Sequence, residues 1–206
     1  PILDNDTNGR IGGDVKYGIT QNITADVTIN TDFAQVEVDE QQVNLTRFNL
    51  FFPEKRDFCL GGLGTFAFAG RASAGPGAGT GDTPYLFCSR RIGLDQSRVV
   101  PIVAGGRTTG KAGKFTFGAI NVQTNDDLVA KISSANFTVV RAKRDILRRS
   151  SIGGMFTHRT ATPGRIGSND GYGLDAALSF FQNVRFESYL AATQTEGRGG
   201  GNLSYR

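Results

Sequence analysis

The chain has 206 residues and a formal net charge of +4, with 28 glycines, 15 phenylalanines, one methionine and no tryptophan. That balance suits turn-rich β structure rather than a helical bundle, and a hydrophobic content of 38% is low for a soluble core of this size. No apolar run approaches the ~18 residues that a transmembrane helix needs. The basic residues are spread along the chain instead of clustering with aromatics, which argues against a nucleic-acid partner.

Residues 1–11 read as a linker. Pro1–Arg10 is polar and has no apolar stretch of the signal-peptide kind, so the sequence is expected to be a piece of a longer exported chain. Gly12–Tyr17 and Asn22–Asn30 predict a first hairpin. In its second arm Ile23, Ala25, Val27 and Ile29 alternate with Thr24, Asp26, Thr28 and Asn30, a period of two.

Residues 31–100 break that rhythm with an acidic start (TDFAQVEVDEQQVN), a Phe-rich middle (LTRFNLFFPEKRDF) and a Gly/Ala/Ser tract at Gly70–Gly81. A connection this long is either functional or without fixed structure. It is expected off the regular wall, as a long loop or plug-like insertion. Its acidic residues Glu37, Asp39 and Glu40 would approach basic residues such as Arg141 and Lys143, and Phe48, Phe51 and Phe52 would be sheltered by the same packing. Cys59 and Cys88 lie in this segment and could form a disulfide in an oxidising compartment; two unbridged thiols are the open alternative.

From Pro101 the alternation returns. Hairpins are predicted at Val103–Gly110 with Lys114–Thr124, Asn136–Asp145 with Ser150–Arg159, and Tyr172–Phe180 with Val184–Thr193. Their tight turns, Lys111–Lys114, Asp145–Ser150 and Phe180–Asn183, should lie at one common end, and the strands should pair antiparallel in sequence order. Runs of about ten alternating residues, with short turns on one side and long polar connections on the other, describe a transmembrane β-barrel. On that reading Ile23, Val27, Leu174, Leu178, Phe186 and Leu190 point outward to lipid. Arg107, Arg141, Lys143, Asp175, Arg185 and Glu187 face the lumen, since an arginine at mid-depth on the lipid face costs about 2–4 kcal/mol.

Phasing slips within Phe115–Gln123. One face carries Phe115, Phe117 and Ala119 and then Asn121 and Gln123; the other carries Thr116 and Gly118 and then Ile120 and Val122. A bulge or a strand end would account for it. A topological tension accompanies the slip. If the short turns are periplasmic, the first hairpin enters from the outside, unless it is laid out differently or 31–100 contributes an odd number of strands.

Read in sequence as DVKYGITQNITADVTINTDFAQVEVDEQQVNLTRFNLFFPEKRDF, then SRRIG, then NFTVVRAKRD, the chain resembles a specific family from about Gly12 to Thr195. It is similar to the barrel region of bacterial carbohydrate-binding family 9 domain-containing outer-membrane proteins of unknown function. The segment FFPEKR at Phe51–Arg56 is the most specific part, and the chain departs from the family's pattern at Cys59 and Gly61. The resemblance implies the N-terminal part of an outer-membrane barrel over 12–206 and supplies no catalytic residue.

Other motifs carry less. Gly105–Lys111 (GGRTTGK) matches a phosphate-loop spacing, but Ala112 follows where a Ser or Thr should bind Mg²⁺, and then a strand where a helix is needed. Gly75–Gly81 is a flexible low-complexity tract. His158 is the sole histidine and has no ligand spacing around it. The acidic patch Asp32, Glu37, Asp39 and Glu40 lacks the spacing of a calcium loop. The expectation is therefore a non-enzymatic, all-β, antiparallel up-and-down barrel, partial in this chain, in the bacterial outer membrane. It needs no metal or cofactor and would be porin-like or a surface scaffold, with lipid and then glycans or small anionic solutes as partners. A carbohydrate-binding or glycan-processing protein and a soluble β-sandwich binding module are the alternatives.

Overall fold

A computed structural model describes residues 11–30, 57–70, 83–89, 92–95, 98–126, 134–160, 167–181, 183–197 and 200–206. The predicted strands form, several a little longer than expected: β1 Gly13–Thr20, β2 Ile23–Ile29, β5 Ile102–Ala112, β6 Phe115–Thr124, β7 Asn136–Leu147, β8 Ser150–Arg159, β9 Asn169–Phe180 and β10 Val184–Thr195. Between β2 and β5 lie a short helix, α1 (Asp57–Leu60), a 3₁₀ turn at Leu63–Phe66, and a small ribbon of β3 (Leu94–Asp95) with β4 (Arg98–Val99). A further short strand, β11 (Asn202–Tyr205), follows β10 and was not signalled by any long alternating run.

Among the described residues the sheet has nine strands in the order β1-β2-β5-β6-β7-β8-β9-β10-β11, each pair antiparallel. This is an up-and-down meander, and its order puts the turns at 21–22, 113–114 and 148–149, and the strand ends Phe180 and Val184, at one end. The strand ends that lead into and out of 30–101, 125–135, 160–168 and 196–201 lie at the other. The β5–β6 turn needs only Gly113 and Lys114, and Gly113 takes the left-handed conformation (φ 57°) such a tight hairpin demands. The first hairpin turns at the same end as the rest, and β3 and β4 add nothing to the sheet. The chain therefore enters β1 from the long-loop end.

The sheet is open. β1 and β11 occupy its two edges and do not pair with each other, so the described strands do not close the expected barrel.

The two faces differ. One is covered by parts of the insertion: Phe58, Cys59, Phe66 and Phe68 pack with Ile102, Ile120, Val122, Val139, Met155, Tyr189 and Ala191 from the sheet and with Ile92. The other carries large exposed apolar side chains, among them Val27, Val140, Tyr172, Leu174, Phe186 and Leu190. The cysteine bridge is not formed. Cys59 sits inside the apolar cluster at 3% exposure, whereas Cys88 is only half-buried.

The slip in β6 has its cause here. Its register with β5 and β7 runs unbroken through Phe115–Gln123, so no bulge is involved. Ile120 and Val122 are apolar because the insertion covers them. Asn121 is polar because the open face ends there, in a row in which Asn121 donates to Thr138 Oγ1 (2.8 Å) and His158 Nδ1 lies 2.6 Å from Asp170 Oδ1.

Candidate functional site

Alternation places Arg107, Arg141, Lys143, Asp175, Arg185 and Glu187 all on the covered face, as the cross-strand register requires. The structure draws Arg107, Arg141 and Asp175 into buried contacts and leaves the others nearer the rim. Lys143 and Glu187 are half-buried and Arg185 is exposed.

Arg107 on β5 stands directly opposite Asp26 on β2. Its Nε donates to Asp26 Oδ2 at 3.0 Å, and its terminal nitrogens reach Asp26 and the carbonyl of Gly61. The guanidinium also lies 5.5 Å from the ring centroid of Phe58. Gly61 belongs to the insertion, so one arginine of the sheet holds both the neighbouring strand and the covering segment. Asp26 itself is 6% exposed. Its strand alternation was readable, but its partner was not.

Arg141 on β7 is 1% exposed and pairs in a fork with Asp175 on β9, at 2.5 Å (Nη1 to Oδ1) and 2.8 Å (Nη2 to Oδ2). The other oxygen-bound contact comes from the insertion: the Ala69 amide donates to Asp175 Oδ2 at 3.2 Å. Arg141 also lies 5.8 Å from the centre of the Phe68 ring. Arg141 thus answers to a carboxylate of the sheet itself. The expected partners Glu37, Asp39 and Glu40 lie outside the described residues, as do Phe48, Phe51 and Phe52.

Nearer the rim, Arg185 Nη2 lies 2.5 Å from Glu187 Oε1 and Arg206 Nη2 lies 3.7 Å from Glu187 Oε2. Tyr189 stacks edge-on with Phe68 (centroids 5.9 Å) and shares a 3.2 Å hydrogen bond with Ser204 Oγ.

The rings of the insertion dock on glycines. Phe58 lies against Gly105, Phe66 against Gly118, and Phe68 against Gly173; a methyl group built on Gly118 would stand 2.9 Å from Phe66 Cζ, and one on Gly173 2.6 Å from Phe68 Cε2. Those contacts are too short to keep, so the bare backbone at these points is what lets the rings sit down on the sheet. Sequence reading missed these sites. A glycine in an otherwise regular strand is the signal, because it marks a close approach.

Chemically, the arrangement is a set of buried, mutually neutralised ion pairs that hold a folded segment to a sheet. Among the described residues no group of His, Cys, Asp and Glu side chains could hold a metal ion. None of the described helices is long and apolar enough to cross a membrane, a criterion that does not address β-barrels.

Residues 3–101 match the profile of a family described as "Domain of unknown function (DUF5916)". The match spans β1, β2 and the whole insertion and stops at the threshold of β5, so the similarity is concentrated on the covering segment and the hairpin before it. Searches of curated proteins and of solved structures return no match.

Proposed function

We propose that this chain is part of the wall of an outer-membrane β-barrel whose interior is filled by its own insertion, and that it works as a gated pore or loop-bearing scaffold for solute handling. The observation that carries the reading is the contrast between the two faces. One presents Val140, Tyr172, Leu174, Phe186 and Leu190 to the surroundings, and the other keeps Arg107, Arg141, Asp26 and Asp175 in buried pairs. A soluble sandwich hides its large apolar residues and wets its charged ones; here the covered face keeps buried ion pairs beside its apolar cluster, and the large exposed side chains of the other face suit lipid outside.

Strand lengths agree with this reading. β5 to β10 have 10 to 12 residues each, close to the ~9–11 tilted residues that span a bilayer. The apolar zone of the open face is bounded by the polar row of Asn121, Thr138, His158 and Asp170 at the long-loop end. Toward the turn end Arg144, whose guanidinium lies 5.1 Å from the Phe115 ring centre, brings a charge onto this face at β7, while Phe180, Val184 and Phe186 carry the apolar zone on toward the β9–β10 turn. The resemblance of FFPEKR and its surroundings to barrels that follow a carbohydrate-binding module supports a link to glycans. Because Arg107 and Arg141 are neutralised by carboxylates, anionic or polyhydroxylated solutes would meet Lys143 and the rim, where Arg185 and Arg206 share the single carboxylate of Glu187.

The test is reconstitution of the full-length protein in planar bilayers, with and without residues 57–70. Low conductance that rises on deletion is expected. Unchanged conductance would reject the plug, and failure of either protein to enter a bilayer would reject the barrel.

A further inference from the structure

On the open face a groove of about 580 Å³ crosses β7 to β10 near the turn end. Ala142, Gly154 and Ala176 make its floor, and Phe115, Ile152 and Leu190 rise around it. The register explains the shape. Ala142 stands opposite Gly154, and Ala176 opposite Ile152, so small residues step obliquely from strand to strand while larger ones flank them. A methyl group on Gly154 would meet nothing nearer than Leu174 Cδ2 at 3.5 Å. Glycine is therefore not demanded by crowding there, and the space above it is real.

Arg144 also lines this groove. Its guanidinium lies over Phe115, and no carboxylate pairs with it among the described residues. The acidic neighbour on β7, Asp145, is held by Lys111 at 3.0 Å on the opposite face, while Arg148 and Arg149 add to the positive charge at this end. An apolar trough thus opens beside an arginine that lacks an anion.

We propose that the groove binds one phospholipid of the leaflet on the turn side, its acyl chain along the small-residue floor and its phosphate on Arg144. The proposal rests on the barrel reading, since only a bilayer brings such a lipid to this face. Chemistry selects the occupant: the guanidinium fork matches phosphate oxygens, and an acyl chain gains by filling an apolar trough without needing hydrogen bonds.

The experiment offers phosphatidylglycerol to the full chain in detergent micelles and counts retained lipid by native mass spectrometry. The wild type and Ala119→Leu, an open-face change outside the groove, should retain it. Gly154→Leu, which fills the trough, should lose it, and Arg144→Gln should hold it roughly fivefold more weakly. Equal retention by all forms overturns the proposal, as does a loss in Ala119→Leu that matches the loss in Gly154→Leu. Arg144→Gln alters an exposed side chain and decides the matter if Gly154→Leu does not fold. Separate insertion into vesicles distinguishes the two readings. A protein that inserts but retains no lipid rejects the groove alone, and one that does not insert rejects both.

Discussion

Arg141 on β7 meets Asp175 on β9 across the full width of β8, passing over Gly153. A methyl group at that glycine would stand 2.8 Å from Arg141 Nη1. The gap in the middle strand is what makes a pair between next-nearest strands possible. Removing only one partner should be costly, because the other charge stays buried. Asp175→Ala is expected to destabilise the fold by about 3–5 kcal/mol, while the double change Arg141→Met with Asp175→Leu recovers most of that. Denaturant titration followed by far-UV circular dichroism checks it; equal midpoints for wild type and Asp175→Ala would refute the clasp.

Lys111 and Asp145 make the opposite case. Their 3.0 Å bridge lies in the open, with side chains 56% and 41% exposed. Solvent screens such a pair, so Lys111→Ala should shift stability by less than about 1 kcal/mol. The same titration compares the two bridges directly.

Gly173 receives both Phe68 and Leu86 from the insertion. Gly173→Val should push the ring off the sheet and cost about 1–3 kcal/mol by overpacking. The local sign is faster protease cleavage within 57–70, with cleavage at the β5–β6 turn unchanged. Protection equal to wild type would mean that the aromatic contacts do not hold the segment down.

Val140 lies on the open face, 44% exposed, between Ala119 and Phe156 in register. If lipid covers that face, Val140→Arg should destabilise the protein folded in vesicles by about 2–4 kcal/mol. If water covers it, the change should stay within about 0.5 kcal/mol. Folding yields in vesicles across a urea series separate the two.

The strands of this chain were legible because alternation is a local property. Ile23 to Ile29 and Tyr172 to Phe180 announce both their conformation and which residues share a face. Which charges meet was not legible, since Arg141 finds Asp175 through a gap at Gly153 that depends on the register of three strands. β11 escaped notice because Asn202–Tyr205 is too short for a period to show. The switch in β6 misled for another reason: the requirement on Asn121 and on Val122 changes where the insertion ends its cover on one side and the apolar zone ends on the other.

Asp26 and Arg107 bridge the one join in the sheet that is not between sequence neighbours, β2 with β5, which the segment 30–101 separates. All other pairings come from hairpins or short connections and cost little chain entropy to close. The expected order of assembly follows from this: β1–β2 and β5 to β11 can each zip up locally, and the docking of β2 on β5 is the costliest closure. Because Arg107 binds Gly61 as well as Asp26, one guanidinium stitches this late seam from both sides. Loss of Arg107 would therefore loosen the seam where the two halves of the sheet are sewn together, and is expected to show as earlier opening there.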